Sequence, residues 1–297
     1  MPSLKKLIGR VDRLLDRLEP LLPEPAGPAD PDTLAYRWRR TPGGGTLRPV
    51  HHPHAVALDD LLCLDRQKAE VVRNTRQFVG GRPANNVLLW GARGTGKSTL
   101  IKAVFNAFAA EGLRLVEVEK HDLVDLPEIV DRLRDRPERF VLYCDDLSFE
   151  ADDPSYKALK AVLEGSIVAP PDNVLVYATS NRRHLLPEFH GENLEARTVD
   201  GEIHPGEAVE EKISLSERFG LWLSFYPFTQ DEYLRIVDHW LHRLDATDTA
   251  DATVRAAALQ WALGRGSRSG RVARQFALDS AGRSAAPASA RSERRVL

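Results

Sequence analysis

The sequence predicts an α/β fold: a parallel-sheet domain with helices on both faces, followed by a small all-α lid. Three observations predict it. From about Val56 onward, short runs rich in Val, Leu and Tyr alternate with runs of helical periodicity, the order that builds parallel sheets. A glycine-rich turn stands between the first such run and its helix, in "NVLLWGARGTGKSTL". Residues 229–281 carry helical patterning alone, which marks a separate helical unit.

The chain opens on a stripe of Leu4, Leu7, Val11, Leu14, Leu18 and Leu21. Spacings of three and four draw one face of a helix, and Ile8, Leu15 and Leu22 widen it. Prolines in "PLLPEPAGPADPD" end it. Packing on the chain's own domain and docking on a partner helix are both open. Next, "TLAYRWRRTPGGGTLRPVHHPH" is rich in Pro, Gly and Arg and reads as an extended linker. Its "HHPH" lacks an accompanying Cys or acidic ligand set and is read as linker, not metal site. Helix is expected over 65–78, strand at 86–90, helix over 97–112 closed by Gly112, strand at 114–118 and helix over 126–136. Then come a strand at 140–146, a helix over 155–165, and strands at 173–181 and 221–228. The expected units are residues 1–55 (helix and linker), 56–228 (α/β domain), 229–282 (helical lid) and 283–297 (disordered tail, poor in large apolar residues).

With 297 residues the chain can bury one large core or two smaller ones. Lys and Arg number 41 against 43 Asp and Glu, a net charge of -2, which excludes a globally basic nucleic-acid binder and leaves local patches. Of two cysteines, Cys63 and Cys144, the second lies in an apolar run. A buried thiol in a reducing, cytoplasmic setting is therefore expected. No apolar run approaches the roughly 20 residues that span a bilayer, so no membrane partner is expected. The start is too broken by charge for a secretory signal.

The turn "GARGTGKST", Gly91 to Thr99, matches G-x-x-x-x-G-K-[ST] with a strand before it and a helix after it. Gly91, Ala92, Arg93, Gly94, Thr95, Gly96, Lys97, Ser98 and Thr99 are thus the candidate phosphate cradle. Glycines let backbone N–H groups converge on a phosphate, and the helix N-terminus adds its positive dipole end. Lys97 is suited to the outer phosphates and the Ser98 hydroxyl to Mg²⁺. This motif alone does not separate kinases, GTPases, transporters and remodelling ATPases.

"FVLYCDD" ends on Asp145 and Asp146. Asp145 is the candidate Mg²⁺ ligand, on a strand expected near that of the phosphate loop. Asp146 is the candidate base for an attacking water, with Glu150 as fallback. Aspartate is one methylene shorter than glutamate, which shifts the water position it can reach and raises the question of whether the chain turns over. The bland reading of the pair is a solvated strand-end turn. Asn181, closing "ATSN", either hydrogen-bonds the water or the γ-phosphate, or caps a turn. Arg218, in "SERFG" before a strand-like run, by itself reads as one half of a surface ion pair.

The order of phosphate loop, double-aspartate strand, asparagine strand, S-x-R-F-G box and helical cap resembles the AAA+ ATPases, from roughly Leu58 to Ala281. "SERFG" is similar to the arginine-finger box of replication initiators and clamp-loader relatives. "NNVLLWGARGTGKSTL", "CDDLSFE", "ATSNRRHLLPE" and "SLSERFGLWLSFY" look more closely like a bacterial AAA+ branch catalogued as a domain of unknown function. The resemblance implies ATP and Mg²⁺ as cofactors, a homo-oligomeric ring or open ring, and Arg218 reaching the γ-phosphate of a neighbouring subunit. It implies that Arg271 in "GSRSGRVARQF", with Arg274 one turn on, clamps the phosphates from the lid, and that Leu62, Cys63 and Leu64 wall the adenine. Initiator and helicase-loader relatives also carry two aspartates, so Asp146 is compatible with an active enzyme. The implied function is ATP hydrolysis that remodels a protein or nucleic-acid partner; the alternative is an ATP-switched, nucleic-acid-binding loader with little turnover. The acidic segment 187–213 is read as a contact to a partner or adjacent subunit, or as a solvated loop. Arg265, Arg268, Arg283, Arg291, Arg294 and Arg295 form a second open feature, a phosphate-binding patch or a solvated face.

Overall fold

The computed structural model describes residues 33–41, 44–149, 153–165, 169–183, 185, 197–199, 202–204, 215–246 and 252–285. The N-terminal stripe, Glu150, most of the acidic segment and the arginines from Arg291 onward lie outside these residues. Among the described residues no helix is long and apolar enough to cross a membrane.

One sheet organises the chain. Its strands are β1 (Ala35–Thr41), β2 (Gly44–Pro49), β3 (Val87–Gly91), β4 (Leu113–Glu117), β5 (Arg139–Cys144), β6 (Val174–Ser180) and β9 (Leu221–Phe225), in the order β2-β1-β4-β5-β6-β3-β9. All neighbours are parallel except β1 and β2. A separate two-stranded pair, β7 (Arg197–Val199) and β8 (Glu202–His204), lies within the acidic segment.

Helices cover both faces because strand side chains alternate. Along β5, Val141 and Tyr143 join one core, while Phe140, Leu142 and Cys144 join the other. The first core is closed by α1 (Asp65–Val79), which buries Val71, Asn74, Thr75 and Phe78 in a single stripe. It is also closed by α2 (Lys97–Phe108), which buries Leu100, Ile101, Val104 and Phe108. Gly112, at φ 97°, ends the turn after α2. The second core lies under α3 (Leu126–Leu133) and α4 (Pro154–Glu164). Proline sits in the first turn of each, where no intrahelical N–H is missed.

The residues expected to be extended linker form the β1–β2 hairpin instead. Trp38 and Tyr36 point into the second core and are fully buried, while Arg37 and Arg39 on the other face pair with Glu117 and Glu119. The indole lies directly over Gly45, where a Cβ would come within 1.7 Å of it. Glycine here makes room for a buried ring, which composition alone reads as flexibility.

Three helices follow the sheet: α5 (Gln230–Arg243), α6 (Ala252–Gly264) and α7 (Gly270–Ala285). Thr229 and Glu232 form a reciprocal capping box that starts α5. Tyr233, Ile236, Val237, Ala258, Ala273 and Ala277 carry the first core into this unit.

Candidate nucleotide site

At the C-terminal end of β3 the backbone turns sharply. Gly91 has φ 128°, and an added Cβ would meet the Phe225 carbonyl oxygen at 2.0 Å. Ala92 N–H donates to that carbonyl at 3.0 Å, so β9 pins the start of the loop. Lys97 opens α2 yet is only 6% exposed. Its ammonium donates to the carbonyls of Gly91 and Ala92, both at 2.8 Å, and to Asn181 Oδ1 at 3.1 Å. Burial lowers its pKa; Asp146 and Asp145 oppose that shift.

β5 delivers the carboxylates. The two-residue period that turns Tyr143 toward α2 carries Asp145 to the same side, where Ser98 Oγ donates to Asp145 Oδ1 at 2.7 Å. β5 does not adjoin β3, however. β6 lies between them and contributes a residue that sequence reasoning passed over. Thr179, 2% exposed, donates to Asp145 Oδ1 at 2.5 Å and accepts from Asp146 N–H at 2.9 Å. One hydroxyl thereby holds the Asp145 carboxylate and the Asp146 backbone together. Asp146 takes the left-handed conformation, φ 52°, uncommon for a residue with a Cβ. Asn181, just past β6, donates from Nδ2 to Asp146 Oδ1. The expected water-directing pair is therefore already in contact.

These groups line a cavity of about 690 Å³ whose wall runs from Arg93 through Thr99 to Asp145, Asp146, Thr179 and Asn181. Its far side is apolar, with Val56, Leu61, Leu62, Leu64, Ile236 and Trp240. The lid closes over the loop. Arg271 N–H reaches the Gly94 carbonyl at 3.4 Å, and a Cβ on Gly94, φ 75°, would meet Ser269 Oγ at 2.7 Å. Arg271 and Arg274 line the cavity, the latter 5.1 Å from the Trp240 ring centroid.

A family model described as "Protein of unknown function (DUF815)" matches residues 31–284. The chain belongs to the DUF815 family. No curated protein matches it. Among solved structures, Aeropyrum pernix ORC1 in complex with DNA aligns with TM-score 0.53 at 15% identity, covering 75% of this chain and 61% of that one. A point mutant of Thermotoga maritima RuvB aligns with TM-score 0.49 at 17% identity, over 75% of this chain and 64% of that one. The chain thus spans less than two thirds of the length of either. The ORC1 likeness concerns the fold alone, which is an α/β P-loop architecture.

In this DUF815 chain the expected site residues separate into four groups. Arg93, Gly94, Thr95, Gly96, Lys97, Ser98, Thr99, Asp145, Asp146, Asn181 and Arg271 converge on the cavity. Gly91 and Ala92 stand behind it, holding Lys97 with their carbonyls. Cys63, expected beside Leu62 and Leu64 in the adenine wall, does not line the cavity; it takes a left-handed turn, φ 60°, between two residues that do. Arg218 lies elsewhere. Leu221 pairs with Val87 and Phe225 with Gly91, so β9 runs about 13 Å at ~3.3 Å per residue before it reaches the phosphate loop. Arg218 precedes that strand, at the opposite end of the sheet, in an ion pair with Glu164 at the end of α4. The signal for Thr179 was in "ATSN": a threonine at a buried, strand-end position needs a partner for its hydroxyl.

Proposed function

We propose that the protein is an oligomeric, magnesium-dependent ATPase that converts ATP hydrolysis into movement of the helical lid against the α/β domain, and so remodels a macromolecular partner. The observation that carries this is the linked set Ser98–Asp145–Thr179–Asp146–Asn181–Lys97 at one end of the sheet. Ser98 and Asp145 are oxygen donors 2.7 Å apart at the cavity wall, which fits a hard cation. Among the described residues no three His, Cys, Asp or Glu gather as a metal cluster; magnesium needs none, because waters and phosphate complete its shell. Bound there, it supplies charge neutralisation at the phosphates.

The chain's own residues supply the rest. The loop's N–H groups and the α2 N-terminus hold phosphate oxygens, and Lys97 leaves its carbonyl acceptors for them. Asp146, aimed by Asn181 and Thr179, takes the proton of the attacking water. Arg271 reports phosphate occupancy to the lid through its backbone contact with Gly94. Arg218 faces away from its own cavity, which supports service to a neighbour's site; within the single chain Glu164 satisfies its charge. Arginine suits such a role because it stays charged and offers a planar fork of donors. The two cysteines stand free, in keeping with a cytoplasmic setting.

The test is ATPase rate per subunit against protein concentration, for wild type and Arg218→Ala. The expected wild-type rate rises with assembly, and the variant's collapses by about 10³-fold, the worth of an arginine finger. A concentration-independent rate that the variant retains would sink the assembly model. The alternative, a nucleic-acid switch with little turnover, predicts a steep loss of DNA affinity with salt. Three cap arginines are already engaged within the cap: Arg283 with Asp279, Arg265 over Trp261 and Arg274 over Trp240.

A further inference from the structure

Tyr143 is 1% exposed, and its hydroxyl has no hydrogen-bond partner among the described residues. An unsatisfied buried hydroxyl opposes folding. Phenylalanine would fill the same space without that cost, so packing alone does not account for a tyrosine. The ring lies against α2, with Lys102 Nζ 5.9 Å from its centroid. Ser98 is one turn earlier on that helix and bonds Asp145, two residues beyond Tyr143 on the same side of the strand; both interact with the hydroxyl. Both stand close enough to interact with it, without a geometrically complete hydrogen bond to either. Asp145 Oδ1 already takes the protons of Ser98 and Thr179. The carboxylate still has lone pairs beyond those two.

Resting on the magnesium–nucleotide reading above, we propose that Tyr143 is a positioning residue for the divalent cation, its hydroxyl donating to the Asp145 carboxylate from beneath and fixing the orientation in which that carboxylate and Ser98 face the metal. Ser98 and Asp145 would hold the cation, and with the carboxylate turned toward it the buried phenol would have Asp145 as its acceptor. The hydroxyl neither touches the phosphates nor exchanges its proton; it acts through Asp145. Partners of this kind typically contribute about 10–100-fold to metal affinity.

Tyr143→Phe in the full chain tests this by calorimetric titration with ATP at a series of MgCl₂ concentrations, alongside thermal melts. The expected result is a Mg²⁺ midpoint raised about tenfold or more, an unchanged affinity for ATP in EDTA, and a melting temperature equal to or above that of wild type. An unchanged Mg²⁺ midpoint would overturn the proposal, and a lowered melting temperature with that unchanged midpoint would assign the hydroxyl to packing. If wild type itself binds no ATP, the nucleotide reading fails and this one with it; if wild type binds and the variant matches it, only the role of Tyr143 fails.

Discussion

Replacing Thr179 by valine keeps the shape of a buried β-branched side chain and removes one oxygen. That oxygen donates to Asp145 and accepts from the Asp146 N–H. Its loss leaves a half-buried N–H without an acceptor, at about 1–3 kcal/mol. The exposed Asp145 recovers its lost bond from water, so the net destabilisation is about 2 kcal/mol. At ~2–4 °C per kcal/mol for a chain of this size, the melting temperature falls by about 4–8 °C. The catalytic effect is larger. Asp146 sits in a left-handed conformation that only its neighbours enforce, and a misplacement of about 1 Å is worth up to ~10² in rate. Steady-state ATPase assays should therefore show kcat reduced at least ~10-fold, with KM for Mg·ATP little changed because the phosphate loop is untouched. Wild-type kcat in a variant that melts as wild type does would refute the reasoning, for it would mean that the carboxylates find their positions without β6.

Two further outcomes follow from the same geometry. Gly94→Ala forces φ 75° on an alanine and drives its Cβ to 2.7 Å from Ser269 Oγ; nucleotide affinity is expected to fall about tenfold, ~1.4 kcal/mol, as the lid lifts from the loop, measured by the same ATP titration. Burial pushes the Cys144 thiol from 9.0 up to about 12. A raised folded-state pKa adds stability that is complete below the unfolded value and is lost as pH rises from 9.0 to about 12. Denaturant midpoints measured across that window should therefore decline less steeply in Cys144→Ala than in wild type, and native Cys144 should resist thiol reagents at about pH 8.

Much of the fold was legible because its signals are local. The run from Val87 to Phe108 reads as strand, glycine turn and helix within one contiguous stretch, and the helices at 65–79 and 126–133 show their apolar stripes directly. The hairpin at 35–49 was not legible. Its Gly45 makes room for a tryptophan that packs beneath α3, and its Arg37 and Arg39 are paired with Glu117 on β4 and Glu119 just beyond it; composition sees the residues and not those partners. Thr179 was hidden for a related reason: its hydroxyl is used by two residues at the end of another strand.

By itself the sequence determined the phosphate loop, because strand, turn and helix are consecutive and their chemistry depends on neighbours in the chain. It also determined which carboxylates and which amide would stand at strand ends, since apolar runs must stop where the sheet meets water. Only the tertiary structure decided how those ends relate. Strand order inserts β6 between the loop strand and the aspartate strand, while lid packing sets Ser269 and Arg271 against Gly94, and the direction of β9 sends Arg218 to the far end of the sheet. These relations join residues distant along the chain, and the packing of two cores against one sheet brings them together.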